Sequence, residues 1–236
     1  MKGVILAGGS GSRLHPLTKV TNKHLLPVGE KPMIFYAIEK LTKAGITDIM
    51  VITGTGHMGS IVQCLGSGKD FDCSFTYRVQ DEHGGIAQAL GLCRGHCYGE
   101  RLCILLGDNI FQDDLKPYLD VYREQERGAM VLLKRVPDPQ RYGVAIFDEF
   151  NNISRIEEKP KNPQSDHAVT GVYFYDQKVF NIIDELRPSA RGELEISDVN
   201  NRYLEWGELR FEVLKGYWTD AGTLTSLQHA NELVRG

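Results

Sequence analysis

The chain has 236 residues, 42% of them hydrophobic and 25% charged, with 27 basic and 31 acidic side chains giving a net charge of −4. That composition fits a globular chain with a sizeable buried core, and the near-balance of charge argues against a general nucleic-acid binder. No apolar run reaches the length that crosses a bilayer, no secretory leader is read at the start, and five cysteines at irregular spacing make no disulfide framework, so a cytoplasmic protein is expected.

In chain order, "GVILA" reads as a strand that breaks into the glycine loop "GGSGSRLHPLT". "KPMIFYAIEKLTKAG" reads as an amphipathic helix, with apolar Ile34, Ala37, Ile38 and Leu41 and Gly45 as its stop. Strand "DIMVIT", helix "MGSIVQCL", strand "FTYRVQ", helix "IAQALGLC" and strand "RLCILLGD" continue the alternation. "LKPYLDVYREQE" and "AMVLLKRV" repeat the helix–strand step. Such alternation predicts βαβ units and a mainly parallel sheet covered by helices. From Tyr142 the rhythm changes: "YGVAIFDEFNNISRIEEKP" predicts a hairpin turning at Asn151 and Asn152. Strand "AVTGVYFYD", two helical stretches, strand "LRFEVL" and a helix over 224–234 complete the chain. The fold expected is α/β, a Rossmann-like mixed, mainly parallel sheet flanked by helices with an added β-hairpin.

Open parallel sheets bind ligands beyond the carboxyl ends of their strands. Three loops leave such ends carrying glycine or polar residues: Gly8 to Arg13, Gln80 to Gly85, and Gly107 to Asn109. The glycine loop is neither of two common phosphate loops. A Walker loop ends in glycine-lysine-serine/threonine where this chain has Gly11-Ser12-Arg13, and a dinucleotide fingerprint needs glycine where Leu14 stands, so NAD and FAD are disfavoured. Gly8, Gly9 and Gly11 still allow backbone N–H groups to approach an anion closely, and Ser12 lies beside them. Arg13 adds a forked donor suited to phosphate, and Lys23 follows ten residues on; together they read as a polyphosphate clamp, although a bare glycine cluster also serves as a plain turn. In "CRGHCYGERLC" the spacing of Cys93, His96, Cys97 and Cys103 fits no common zinc pattern.

The ordered set "LAGGSGSRLHPLT", "NKHLLPVGEKPMI", "LLGDN", "RYGVAIFD", "IEEKP", "TGVYFYD", "ARGELEISDVN" and "YWTDAGT" resembles the sugar-1-phosphate nucleotidyltransferase family along the whole chain, nearest its glucose-1-phosphate thymidylyltransferase branch in a short form. The resemblance implies one domain over 1–236, with 1–135 mainly for nucleotide and 136–236 mainly for sugar phosphate. It implies Mg2+-dependent attack of glucose 1-phosphate on the α-phosphorus of dTTP, releasing pyrophosphate. It casts Arg13, Lys23, Asp108 and Lys159 as catalytic, and Asp108 and Asp220 as metal ligands, where each aspartate alone reads as a turn or helix cap. Gly8, Gly9, Gly11, Ser12, Arg13, Gln80 and Gly85 would bind nucleotide, Gln80 pairing with the base edge and Gly85 leaving room for its ring. Gly143, Glu158, Lys159 and Val169 would bind the sugar phosphate, with Thr170, Arg191 and Glu193 as rim or supporting residues.

Two departures from the branch pattern stand out. "DEHGG" has Glu82 near a usual proline, and the chain ends soon after "SLQHANELVR", so no feedback site is inferred. The small-molecule substrates are the expected partners, with no nucleic acid or membrane, in a homo-oligomer (dimer or tetramer). A uridylyl- or cytidylyltransferase and a non-catalytic relative remain as alternatives.

Overall fold

A computed structural model describes residues 1–235. In chain order the strands and helices are β1 (Lys2–Ala7), β2 (Pro27–Val28), β3 (Lys31–Pro32), α1 (Met33–Lys43), β4 (Asp48–Gly54), α2 (Met58–Leu65), β5 (Ser74–Gln80), α3 (Ile86–Gly91), β6 (Leu102–Leu106) and β7 (Asn109–Phe111). There follow α4 (Lys116–Glu124), β8 (Ala129–Arg135), β9 (Gly143–Phe147), β10 (Ile153–Glu158), β11 (His167–Tyr175), α5 (Lys178–Glu185), α6 (Ile196–Glu205), β12 (Leu209–Val213), β13 (Trp218–Asp220) and α7 (Leu224–Leu233). Every strand and helix expected above is present. The chain divides into two compact units: Met1–His83 with Ile104–Pro117 and the stretch from Gly216 onward, and Gly84–Cys103 with Tyr118–Lys215. This division cuts β6 and does not follow halves meeting at residue 135.

In the first unit β1 pairs in parallel with β4 from Gly3–Ile49 to Ala7–Thr53, and β4 with β5 from Asp48–Ser74 to Gly54–Gln80. The strand order there is β6-β1-β4-β5. The continuous apolar runs are the consequence of position: Val4 to Ala7 and Ile49 to Ile52 are buried on both faces of the sheet. Helix α1 buries Met33, Ile34, Ala37, Ile38 and Leu41, the stripe that a 3.6-residue period brings to one face. Its chain reverses at Gly45, φ 79°, a conformation that favours glycine. Two short ribbons were not foreseen. One pairs β2 with β3, and the other pairs β13 with β7 at Trp218–Phe111, Thr219–Ile110 and Asp220–Asn109. Leu14, Leu26, Val28, Met33, Ile110, Ala221, Leu227 and Ala230 form one buried cluster beneath these ribbons and α7.

In the second unit β8 pairs antiparallel with β11 and in parallel with β12. The hairpin β9–β10 is antiparallel, with Gly143 opposite Glu158. Its turn closes on Asp148, whose carboxylate accepts the N–H groups of Phe150 at 2.9 Å and Asn152 at 2.8 Å, with Asn151 left-handed at φ 61°. Asn201 of α6 accepts the Ile156 N–H and donates to the Ile156 carbonyl, both at 2.8 Å, which ties the helix to β10. The fold class is the expected one, a mixed, mainly parallel sheet flanked by helices with an added hairpin.

Candidate active site

The first group of residues lies at the carboxyl edge of β1, β5 and β6. After β1 the chain makes short 3-10 turns, Ser12–Leu14 and Leu17–Lys19, in place of a helix. Leu14 is fully buried and anchors the loop, while Ser12 and Arg13 stay exposed. A β-carbon at Gly8 would sit 2.7 Å from Gln80 Oε1, so the buried Gln80 side chain crosses the space that Gly8 leaves. Gly9 is left-handed with open space around it, and Gly11 turns at φ 62° against Thr18 and the Lys23 stem. Thr18 Oγ1 donates to the Gly11 carbonyl at 2.7 Å, which fixes the loop's far end.

Lys23 stands on a 3-10 turn, Lys23–Leu25, capped by Asn22. Its ammonium donates to Asp108 Oδ2 at 2.5 Å, and both side chains are largely shielded. Burial alone would raise the Asp108 pKa. The Lys23 charge and hydrogen bonds from Lys23 and Asn109 outweigh it and hold the carboxyl well below the usual carboxylate range. Asp220 is the last residue of β13, paired with Asn109, and not a turn residue. It does not cap α7 either, because Thr223 does so through a reciprocal bond with Ser226. The Asp108 carbonyl accepts the Ala221 N–H at 2.8 Å. A β-carbon on Gly222 would lie 3.0 Å from Asp220 Oδ2, 3.5 Å from Arg13 Nη2 and 3.7 Å from Asp108 Oδ2. Two carboxylates and a guanidinium therefore converge on a glycine.

The second group belongs to the other unit. Lys159 has φ 45°, rare for a residue with a β-carbon, and its N–H bonds to the Tyr142 carbonyl at 2.9 Å. That twist ends the strand alternation, so Glu158 and Lys159 share a side, with Nζ 3.8 Å from Glu158 Oε1. Ser197 donates to Glu158 Oε2 at 2.5 Å, and a β-carbon on Gly143 would come within 3.0 Å of that hydroxyl. Arg191 grips Glu195 through two bonds, 3.0 and 2.7 Å, and approaches Glu193 at 3.3 Å and Glu158 at 3.4 Å. Val169 is buried opposite Leu133, where the β11 register shifts.

Two readings change. Thr170 is no rim residue: it is fully buried, and its hydroxyl donates to the Leu132 carbonyl at 2.8 Å. Gly85, φ 95°, leaves no room for a ring on its Cβ side, because a β-carbon there would lie 2.6 Å from the Leu194 carbonyl oxygen. Gln80 and Gly85 also fall in different units. Sequence reasoning passed over Asn22, His24, Glu195, Ser197 and the Trp218–Asn109 bond of 2.7 Å. Each of these residues lies in a motif visible in the sequence, Asn22 and His24 in "NKHLLP" and Glu195 and Ser197 in "ARGELEISDVN", but nothing local records what they touch. Cys93, Cys97 and Cys103 are buried free thiols, and among the described residues no group of three or more His, Cys, Asp or Glu is arranged to hold a metal.

The sequence pattern of the family described as nucleotidyl transferase matches residues 2–235. The chain belongs to the nucleotidyl transferase family. Among members of this family, a glucose-1-phosphate thymidylyltransferase of Neisseria meningitidis is 46% identical over all of this chain and 83% of its own length. A crystal structure titled as a candidate glucose-1-phosphate thymidylyltransferase of Bacillus anthracis, in complex with a sucrose, is 60% identical with a TM-score of 0.96, covering 100% of this chain and 95% of that one. A UDP-glucose pyrophosphorylase complexed with UDP-glucose, 24% identical, has a TM-score of 0.86 over 99% and 98% of the two chains, which shows the shared fold alone. For a nucleotidyl transferase, the donor set around Gly222 fits a magnesium ion. Magnesium takes hard oxygen ligands, one or two of them carboxylates, and leaves its other positions to phosphate and water. The Lys23 ammonium already supplies a countercharge to Asp108.

Proposed function

We propose that this chain is a glucose-1-phosphate thymidylyltransferase, joining dTTP and glucose 1-phosphate into dTDP-glucose and pyrophosphate. The observation that carries the reading is the convergence of Arg13, Asp108 and Asp220 on Gly222, with Lys23 bonded to Asp108, beyond the end of β1. The names of the full-length relatives support the choice of substrates. The first unit takes the nucleoside triphosphate and the second the sugar 1-phosphate.

A phosphate oxygen of glucose 1-phosphate forms the new P–O bond to the α-phosphorus, and the bond to pyrophosphate breaks. The substrate brings its own nucleophile, so the protein's task is to position two anions and offset their charge. The loop amides of Gly8, Gly9, Gly11 and Ser12 receive phosphate oxygens, and Arg13 supplies a forked cation. Lys23 shares its charge between Asp108 and the nucleotide. Asp108 and Asp220 would hold Mg2+, which when bound neutralises phosphate charge. Gln80 presents an amide donor and acceptor to the pyrimidine edge. Lys159 and Arg191 bind the sugar phosphate, Glu158 accepts from sugar hydroxyls, and Gly143 and Val169 offer backbone groups. A cytoplasmic homo-oligomer, dimer or tetramer, completes the reading; among the described residues no helix is long and apolar enough to cross a membrane.

The test is pyrophosphate release with Mg2+ and glucose 1-phosphate across dTTP, UTP, CTP, ATP and GTP. Preference for dTTP with UTP second supports the assignment. Preference for CTP, or for UTP over dTTP, moves the protein to a sister activity, and no release with any nucleotide overturns it.

A further inference from the structure

His24 is a buried imidazole with no part in the roles assigned above. It is 1% exposed, in the residue next to Lys23. Asn22 Nδ2 donates to the Ala7 carbonyl at 3.3 Å, at the end of β1, and this bond orients the amide. The Asn22 oxygen then accepts two donors, the His24 backbone N–H at 2.9 Å and the ring Nδ1 at 2.7 Å. An acceptor at that distance places the ring proton on Nδ1. The other edge of the ring lies against Gly107: a β-carbon there would sit 2.8 Å from His24 Cδ2. Gly107 is itself tied to β1, its N–H bonding to the Leu6 carbonyl at 2.9 Å.

The contacts form a chain, from the end of β1 through Asn22 and the imidazole to Gly107. The Lys23–Asp108 pair flanks it: Lys23 lies between Asn22 and His24, and Asp108 follows Gly107. Burial, with the Lys23 charge adding to it, pushes the His24 pKa down to about 3, and Asp108 and the Ala7 carbonyl offset only part of this. The ring is therefore neutral at physiological pH.

We propose that His24 is a positioning residue, a buried wedge between Asn22 and Gly107 that fixes the Lys23–Asp108 pair in the geometry that receives the metal-bound triphosphate. The proposal rests on the nucleotide site assigned to the first unit. It differs from a plain packing role in one respect: loss of the wedge changes nucleotide and metal use and leaves sugar phosphate use alone.

The experiment compares wild type, His24→Leu, His24→Asn and Asn22→Ala, all first checked by thermal melting. Calorimetry measures Mg-dTTP binding, and steady-state kinetics vary dTTP, Mg2+ and glucose 1-phosphate in turn. Leucine keeps most of the volume and removes the N–H, so Mg-dTTP binding weakens about tenfold, the scale of one hydrogen-bonded contact in a charged site. The half-saturating Mg2+ rises with it, and KM for glucose 1-phosphate stays within twofold. Asparagine keeps an N–H at the δ position and restores binding to within about threefold, while Asn22→Ala shows the leucine pattern.

Unchanged Mg-dTTP binding in folded His24→Leu overturns the proposal, as does a parallel loss in both substrates. If His24→Leu does not fold, the other two variants decide: equal losses in His24→Asn and Asn22→Ala, or no loss in Asn22→Ala, overturn it. Wild-type protein that binds Mg-dTTP and releases no pyrophosphate would refute the proposed reaction while leaving the calorimetric comparison valid.

Discussion

The two groups of residues handle cations in different ways. In the first unit Lys23 has one carboxylate partner, Asp108, and Arg13 is exposed beside a glycine loop. In the second unit Arg191 faces three carboxylates at once, Glu158, Glu193 and Glu195, and Lys159 lies near one of them. The contrast matches the ligands assigned to each. A triphosphate carries enough charge to draw on sparsely paired cations and a metal. A sugar monophosphate carries less, and recognition of its hydroxyls requires carboxylates, which must themselves be held in place. Ser197 on Glu158 and Ser189 on Glu195, bonds of 2.5 and 2.6 Å, do that holding.

Substitutions on the two sides should separate cleanly. The largest effect is expected from Asp108→Asn, which removes charge with little change in volume. Turnover should fall on the order of a thousandfold, the scale of a lost electrostatic contact in a water-excluded site, with a lowered melting temperature because the shielded Lys23 ammonium loses its countercharge. A folded variant with near-normal kcat breaks the assignment. Lys159→Ala should lower kcat/KM for glucose 1-phosphate about a hundredfold, the scale of a charge-assisted bond lost at the reacting group, with KM for dTTP unchanged. A loss confined to dTTP would place Lys159 on the wrong ligand.

Smaller effects sharpen the comparison. Gly8→Ala puts a β-carbon against Gln80 Oε1, so KM for dTTP should rise about tenfold, the cost of one displaced polar contact. Equal rises for dTTP and UTP are expected, because the amide reads features both bases share. The smallest effect concerns acid stability. The Glu195 carboxyl is partly desolvated, which would raise its pKa, yet its bonds to Arg191 and Ser189 bring it below the ordinary 4.5. The unfolded chain therefore takes up that proton first as pH falls. The stabilisation is complete above pH 4.5 and drains away below it, so Glu195→Gln should flatten the acid limb of a denaturation series below pH 4.5. An unchanged limb would show that the Arg191 cluster contributes nothing to folding.

What the sequence made legible was local. Helix α1 shows its buried stripe within eleven residues, β1 shows its apolar run within six, and the left-handed glycines mark their own turns. The chemistry-bearing side chains were also readable as candidates, because ordered motifs carried them. Their partners were not. Lys23 meets Asp108 across 85 positions and Trp218 meets Asn109 across 109, and no periodicity records a pairing at that range. Asp220 reads as a turn or cap in the sequence because β13 has three residues and exists only through its pairing with β7. Thr170 enters through the family resemblance alone, and its buried bond to Leu132 leaves no mark in the sequence. The left-handed Lys159 leaves one local trace, the following Pro160, which restricts the residue before it without fixing the sense of its turn.

The most direct test of the two-unit assignment is hydrogen–deuterium exchange with Mg-dTTP alone. The account predicts new protection at residues 8–14, 22–25, 107–109 and 220–222, with 143, 158–159 and 189–197 exchanging as in the ligand-free protein. Protection centred on the second set, with the glycine loop unchanged, would contradict it.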